Sequence, residues 1–164
     1  MARDDPASIP SYALRPATGA DAHDLAPRLR AGDVAEIAAG TGRAPLDVLL
    51  ESVTRSLWAE ALLIDGRVEA LGGLGCCSLV FGPGVPWLLG SDRLTERPRW
   101  LLRQSRRGVR RMLRQYPSLA NRVDARNAVS IRYLRHLGFI LDPPAPWGAA
   151  GLPFHRFHLE RVHV

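Results

Sequence analysis

The sequence predicts an α/β fold. Strand patterns and helix patterns alternate along the chain, as they do in α/β proteins. The length of 164 residues suits one domain, and a hydrophobic share of 46% is enough to build a core. We therefore expect a flexible tail over residues 1–11 and a single domain over residues 12–164.

The chain begins with the patterns of a strand and a helix. Tyr12–Arg15 reads as a short strand, and Pro16 ends it. Thr18 is followed three residues later by Asp21, which is the spacing of a capping box at a helix start. The predicted helix therefore begins just after Thr18.

The next patterns are also helical. Asp33 and Glu36 repeat the same spacing before a second set of apolar residues, so we expect another capped helix start there. A further helix is predicted from about Pro45 to Trp58, because its apolar residues recur every three or four positions.

The middle of the chain predicts three strands. Leu62–Ile64, the Asp65-Gly66 pair and a second run from Val68 to Leu79 form the pattern of a hairpin with a tight turn. The glycines and proline of residues 82–84 then predict a turn into a third strand, Val85–Leu89.

Residues 70–91 carry no charge and are long enough to cross a bilayer. Their glycines and prolines indicate buried strands instead, so we expect no membrane span. Pro86 has no backbone N–H to donate to a neighbouring strand, which predicts that its strand is unpaired on one side at that point.

The clearest helix is predicted over Pro98–Tyr116. Its apolar residues and Gly108 share one face, and its arginines share the other. We expect Gly108 to allow close packing on the sheet. The remaining elements are a strand at Leu119–Asp124, a helix at Ala128–Leu137 and a strand at Phe154–Val162.

The charge of the chain is concentrated in one region. All 22 basic residues are arginine, so chemistry that needs a Schiff-base or phosphate-loop lysine is excluded. Arg93–Arg135 holds thirteen arginines against two carboxylates, a net charge of +11. Such a field attracts phosphate on a cofactor or nucleic acid, or an acidic partner. The two cysteines, Cys76 and Cys77, are adjacent, and we predict no disulfide framework and no metal site.

One motif carries a family resemblance. Residues 127–139, from Asn127 to Phe139, resemble the N-x-x-A/S-I, aromatic and L-G-F motif of the GNAT N-acetyltransferases. Leu14–Thr18 with Asp21 resembles the first strand and turn of that family. Together with the element order, the resemblance extends from Tyr12 to the end. It implies a GNAT-like mixed sheet with splayed fourth and fifth strands and flanking helices.

Three shorter stretches resemble a narrower group, the acetyltransferase-like proteins of tailed phages, of the internal virion protein A type. They are Gly84–Gly90, Val123–Asn127 and Pro153–Phe157. This resemblance implies a location in the host cytoplasm or in the virion. It also implies virion or tail proteins as partners for the basic region Arg93–Arg135.

The GNAT resemblance implies that an amine attacks the thioester of acetyl-CoA. The pantetheine arm would fill the gap between the splayed strands, and Pro86 fits a strand that lacks a partner there. The backbone N–H groups of Leu88 and Leu89 would polarise the thioester carbonyl. Asn127 would lie beside the pantetheine arm.

The resemblance also implies where the pyrophosphate binds. The start of the Pro98 helix offers unpaired N–H groups and the positive end of the helix dipole. Three arginines would assist as phosphate donors. They are Arg93, Arg97 and Arg99.

The chain departs from the family pattern in its binding loop and acid. No Q/R-x-x-G-x-G/A run follows Leu89, and the nearest similar run, residues 105–110, has arginine where a small residue is needed. The usual general-acid tyrosine position is occupied by Leu134. Tyr133 is adjacent, about 100° around the helix, and is the candidate acid.

The fourth strand contains no glutamate to act as base. Asp92 is the nearest carboxylate to that strand and is the predicted base. Asp33 and Glu36 either orient the acceptor amine or form the capping box.

The sequence leaves three functions open. The first is acetyl-CoA-dependent N-acetyl transfer to an amine. The second is a non-catalytic virion or tail component. The third is nucleic-acid binding through Arg93–Arg135, which the lack of interleaved aromatics makes the weaker choice for single strands.

Overall fold

The computed structural model describes residues 10–76, 82–96 and 98–161. Five helices occur in this part of the chain: α1 (Gly19–Leu25), α2 (Ala31–Thr41), α3 (Pro45–Arg55), α4 (Pro98–Gln115) and α5 (Ala128–His136). The strands there are β1 (Tyr12–Pro16), β2 (Trp58–Ile64), β3 (Arg67–Cys76), β4 (Gly84–Gly90), β5 (Ser118–Asp124), β6 (Ile140–Leu141), β7 (Ala145–Trp147) and β8 (Leu152–Glu160). Short 3₁₀ turns cover Ala26–Arg28 and Asp92–Glu96.

The strands form one mixed sheet in the order β1-β2-β3-β4-β5-β8-β6, with β7 paired to β8. Every neighbouring pair is antiparallel except β4 and β5, which run parallel. The predicted α/β class with a mixed central sheet is confirmed.

Helices cover both faces of the sheet and create separate apolar cores. On one face, α1 and α3 pack on the sheet through Leu25, Leu49 and Leu71, none of which is exposed. On the other face, α4 and α5 cover the sheet around Met112 and Leu119. The β4–β5 junction therefore lies between two helical layers.

The local signals at the start of the chain form as predicted. The Thr18 Oγ1 accepts the N–H of Asp21 at 3.4 Å, and the Asp21 carboxylate accepts the N–H of Thr18 at 2.8 Å. Arg15 also contacts this carboxylate, and together these bonds lower the pKa of Asp21 to about 2. Asp65 and Gly66 both have positive φ, 51° and 77°, as the tight hairpin turn requires.

Several predicted boundaries need correction. Helix α3 ends at Arg55 because Ser56 is extended, and Trp58 is the first residue of β2. The predicted extension of β3 to Leu79 falls outside the described residues, as do residues 1–9 of the predicted tail. Ser11 is held by Asp65, whose carboxylate accepts its N–H at 3.0 Å, so it belongs with the fold.

Gly108 does not pack closely on the sheet, contrary to the sequence prediction. A Cβ at this position would meet no atom within 4 Å outside its own helix turn. Gly108 lines an open cleft between α4 and the sheet. The close approach occurs instead at Gly73, where a Cβ would lie 2.4 Å from the Trp58 carbonyl oxygen.

Replacing Gly108 by alanine should raise the free energy of unfolding by about 1 kcal/mol, because alanine favours a helix more than glycine does. Urea unfolding of wild type and G108A measures the difference. The matched variant G73A should lose stability, because its Cβ has no room. A loss of stability in G108A would show that α4 packs as closely as the sequence pattern predicts.

Candidate active site

The two parallel strands of the sheet part from each other almost at once. β4 and β5 pair only where Gly84 faces Leu119. Beyond that pair the strands diverge toward their carboxyl ends, while β4 stays paired with β3 from Gly84 to Gly90. The predicted splay between the fourth and fifth strands is confirmed, and it produces a wedge-shaped gap.

The backbone groups of alternate β4 residues face this gap. The C=O of Gly90 accepts the N–H of Arg30 at 3.0 Å, and the N–H of Gly90 donates to Asp33 Oδ2 at 3.0 Å. The N–H and C=O of Gly90 therefore point away from β3 and form no hydrogen bonds with it. The C=O of Pro86 likewise accepts a bond from the Asn121 Nδ2, at 3.0 Å, from across the gap.

Because pairing in an antiparallel ladder alternates along the strand, Leu88 lies in register with Pro86 and Gly90. The N–H of Leu88 then points into the gap. Leu89 occupies the alternate position opposite Leu71, with its N–H on the β3 side. Of the two predicted backbone donors, only Leu88 faces the gap.

Helix α2 crosses the open end of the wedge. Arg30 and Asp33 hold Gly90 at the end of β4, while the carboxylate of Glu36 reaches β5. Glu36 Oε2 accepts the N–H of Asp124 at 3.1 Å and the Nδ2 of Asn127 at 3.0 Å. The first two turns of α2 thus connect the ends of the separated strands.

The predicted capping box of Asp33 and Glu36 does not form. Helix α2 begins at Ala31, and Arg30 precedes it without a side-chain cap bond. Asp33 lies inside the first turn, with its carboxylate bonded to Arg30 and to Gly90 rather than capping the helix.

The gap opens into a cleft of about 610 Å³. Its walls are mainly apolar, and they come from both helical layers and from β4. The α2 side includes Glu36, Trp87 and Trp147. The α4–α5 side includes Gly108 and Tyr133.

Glu36 is a titratable side chain of the cleft whose pKa is shifted toward neutrality. Burial raises the pKa of its carboxyl from 4.5 to about 7, and the bonds from Asn127 and Asp124 lower it by less. Only Oε2 has hydrogen-bond partners within the described residues. Glu36 can therefore take up or release a proton near neutral pH.

Tyr133 lies on the α5 side of the cleft. Its hydroxyl donates to the Ser105 Oγ on α4. Burial raises the pKa of Tyr133 to about 12. Tyr133 therefore keeps its proton and acts as a hydrogen-bond donor at neutral pH.

The other predicted site residues lie away from the cleft. Asp92, the predicted base, is exposed in the 3₁₀ turn after β4 and does not line the cleft. Arg93 is also outside it, 3.1 Å from Asp65 and 3.7 Å from Glu69 in ion pairs. Asn127 caps α5 by accepting the N–H of Ser130 at 3.2 Å. Its Nδ2 donates to Glu36, which lines the cleft.

The predicted pyrophosphate region is partly described. Arg97 lies outside the described residues. Arg99 is exposed and borders a shallow pocket of about 410 Å³ at the start of α4, together with Pro98 and Arg103. Pro98 also lines the large cleft, so the first turn of α4 lies at its rim.

The sequence patterns missed the contribution of two residues, Glu36 and Asn121, to this site. The three-residue spacing between Asp33 and Glu36 drew attention to Glu36, but that spacing is typical of a helix capping box rather than of a catalytic residue. Asn121 carried no signal, since a strand amide that bonds the neighbouring strand's carbonyl looks like any other polar strand residue.

No protein-family model matches the chain. A comparison with curated protein sequences also gives no match. Solved structures, in contrast, share the fold.

Three solved structures illustrate the similarity. A GNAT-family acetyltransferase from Streptococcus pneumoniae aligns with a TM-score of 0.62 at 11% identity, covering 92% of this chain and 100% of that one. The protein yncA from Salmonella typhimurium, solved with its cofactor acetyl-CoA, aligns at 0.63 and 18% identity, covering 93% and 96%. The enzyme AAC(6')-Ib, in complex with ribostamycin and coenzyme A, aligns at 0.66 and 16% identity, covering 92% and 94%. The chain therefore has the fold of the GNAT acetyltransferases.

The raised pKa of Glu36 predicts how stability varies with pH. The unfolded chain releases this proton near 4.5 and the folded chain near about 7. Between these values the folded state binds more protons, so the contribution of Glu36 to stability falls as the pH rises. Relative to E36Q, wild type should lose up to about 3 kcal/mol of unfolding free energy across this window.

Urea unfolding at a series of pH values measures this difference. The control is E51Q. Arg43 lowers the pKa of Glu51 from 4.5, so the contribution of Glu51 to stability is lost only at lower pH, and the difference between wild type and E51Q should stay nearly constant across this window. A difference between wild type and E36Q that does not vary with pH would contradict the assignment.

Proposed function

We propose that the protein is an acetyl-CoA-dependent N-acetyltransferase. The observation that carries the proposal is the wedge between β4 and β5, with the N–H of Leu88 facing into it. In the reaction an amine nitrogen bonds to the acetyl carbon, the carbon–sulfur bond breaks, and the electron pair leaves with the thiolate of coenzyme A.

The residues of the wedge fit acetyl-CoA. The apolar walls of the cleft suit an uncharged arm, and Gly108 leaves space on the α4 side. Leu88 N–H has no strand partner on its open side, which leaves it free for a carbonyl oxygen. When bound, acetyl-CoA supplies an acetyl group on an activated thioester.

Leu88 N–H would stabilise the negative charge that develops on the carbonyl oxygen during attack. A fixed backbone donor in a site with apolar walls is effective because it needs no reorganisation. Only one such donor is proposed, since Leu89 lies on the β3 side of the strand.

Glu36 is the proposed base. An amine is protonated at neutral pH and must lose a proton before or during attack. Glu36 lies on the α2 wall of the cleft, with a pKa of about 7 that matches this task. Asn127 and the Asp124 N–H fix one of its oxygens, which leaves the other for the amine.

Tyr133 is the proposed donor to the leaving sulfur. A phenol with a pKa of about 12 does not give its proton up to a thiolate, which is the weaker base. Its O–H, which donates to the Ser105 Oγ in this structure, would instead turn to the sulfur and donate a hydrogen bond that stabilises the departing charge. The proposal keeps Tyr133, which the sequence predicted as the general acid, but changes its role to a hydrogen-bond donor. Leu134 then needs no polar function.

The acceptor is proposed to be a primary amine. One neighbour, AAC(6')-Ib, was solved with the aminoglycoside ribostamycin. On the α2 side of this cleft, Trp87 and Trp147 provide broad apolar walls beside Glu36. An amine carried on an apolar group would suit this surface.

Replacing Glu36 by glutamine should lower kcat by about 10²-fold or more, because the amine loses its base. Wild-type kcat should rise with pH through about 7 as Glu36 loses its proton, and E36Q should lack this rise. Release of free thiol from acetyl-CoA, measured with a panel of primary amines, provides the rate. Calorimetry should show that E36Q still binds acetyl-CoA.

The competing variant is D92N, which removes the base predicted from sequence. Loss of activity in D92N with full activity in E36Q would refute the assignment of Glu36. No heat and no thermal shift with millimolar acetyl-CoA would refute the proposed function as a whole.

A second candidate function is a non-catalytic virion or tail component that retains the fold. It rests on the three stretches that resemble tailed-phage proteins, on the missing pyrophosphate loop, and on Asn121, which bridges the narrow end of the wedge. Under this proposal the protein acts in the host cytoplasm or the particle. Mass spectrometry of purified particles tests it, and absence of the protein from them would count against it.

A further inference from the structure

Helices α4 and α5 present a continuous cationic surface to solvent. Six arginines of α4 lie within an arc of about 100° on the helix, opposite the residues that face the core and cleft. Arg106 donates to the His136 carbonyl at 3.3 Å, which joins this stripe to the end of α5. The basic face consists of Arg99, Arg103, Arg106, Arg107, Arg110 and Arg114 of α4, with Arg132 and Arg135 of α5, all exposed.

The basic face is not neutralised within the part of the chain that the structure describes. None of its eight arginines forms an ion pair with a carboxylate there. Elsewhere nine arginines do so. They are Arg15, Arg28, Arg30, Arg43, Arg55, Arg93, Arg111, Arg126 and Arg156.

Unpaired like charges three and four positions apart repel one another along a helix. The face therefore destabilises its own helix and gains most from a partner with regularly spaced negative charge. Arginine suits phosphate in particular, because its planar group donates two parallel hydrogen bonds and stays charged.

We propose that the basic face binds the phosphate backbone of double-stranded nucleic acid, independently of sequence. From Arg99 to Arg114 the stripe is about 22 Å long at 1.5 Å per residue. One strand of a duplex presents about six phosphates over that axial length. The stripe offers six arginines, so the two charge spacings match.

The surroundings of the stripe favour a duplex over other polyanions. Single-strand binding uses exposed aromatics for base stacking. Trp100, next to Arg99, is half-buried and stacks on Tyr12 with 4.1 Å between ring centroids, and Tyr133, next to Arg132, is turned to Ser105. Membrane binding needs an apolar face free to insert, but the apolar face of α4 is turned to the core and cleft.

The far half of the stripe separates this proposal from acetyl-CoA binding. Arg99 and Arg103 border the pocket at the start of α4, where phosphates of coenzyme A would bind. The other four α4 arginines are absent from the lining of that pocket and of the cleft. Changing those four tests the duplex site with the acetyl-CoA site intact.

The test measures binding of a labelled duplex of mixed sequence at a series of salt concentrations. Wild type should bind, and its affinity should fall about 10³-fold or more between 50 and 200 mM salt. In R106Q/R107Q/R110Q/R114Q the affinity at low salt should fall at least tenfold, and the log–log salt slope should shrink by about 3.6, or 0.9 for each phosphate contact removed. Calorimetry should show unchanged acetyl-CoA binding.

The matched control is R43Q/R55Q/R67Q/R156Q, which removes the same charge outside the basic face and should keep most of the affinity and slope. Circular dichroism checks that both variants are folded; glutamine keeps the helix propensity of α4. Separate DNA and RNA duplexes show which form is preferred.

Three outcomes would overturn the proposal. The first is no duplex binding by wild type at 50 mM salt. The second is an equal loss of affinity in the two quadruple variants, which would indicate net charge alone. The third is tighter binding of a single strand or of a polyglutamate peptide than of the duplex.

Discussion

The site depends on how the chain satisfies the backbone groups that the parting strands leave unpaired. Such groups, when buried, cost about 1–3 kcal/mol each unless they find partners. Here α2 supplies partners at both strand ends. Arg30 and Asp33 take the two polar groups of Gly90, and Glu36 takes the N–H of Asp124. The wedge can therefore stay open in a folded protein without a ligand to fill it.

The same contacts give the wedge its chemistry. The carboxylate that holds the end of β5 is half-buried, and its burial raises the pKa of Glu36 to about 7. One oxygen of Glu36 is engaged with Asn127 and Asp124, so the side chain is fixed in place. A structural bond and a proton acceptor are thus combined in one residue, and Asn127 links both to the start of α5.

Helix α4 has two faces with different consequences. One lines the cleft, where Gly108 leaves an open wall, and Ser105 holds the hydroxyl of Tyr133. The other carries the six α4 arginines of the basic face, which form no ion pair with a carboxylate in the described part of the chain, whereas Arg111 beside them pairs with Glu60. Because the apolar residues of α4 face inward, the six arginines of the basic face are directed to solvent. The acyl-transfer proposal and the duplex proposal therefore rest on opposite sides of the same helix.

The sequence by itself determined the features that depend on near neighbours in the chain. The Thr18–Asp21 capping box, the Asp65-Gly66 turn, the unpaired side at Pro86 and the two faces of α4 all follow from residues within a few positions of each other. The α/β class and the splayed strands followed from the order of such elements and from one family motif. Tertiary structure decided the rest. Only the packing of α2 against strand ends 57 and 88 positions away brings Glu36 to the cleft, which Asp92 does not line. The register of β4 on β3 separates Leu88 from Leu89. Spacing in sequence carries no record of such distant contacts, because burial and bond partners are set by which elements meet.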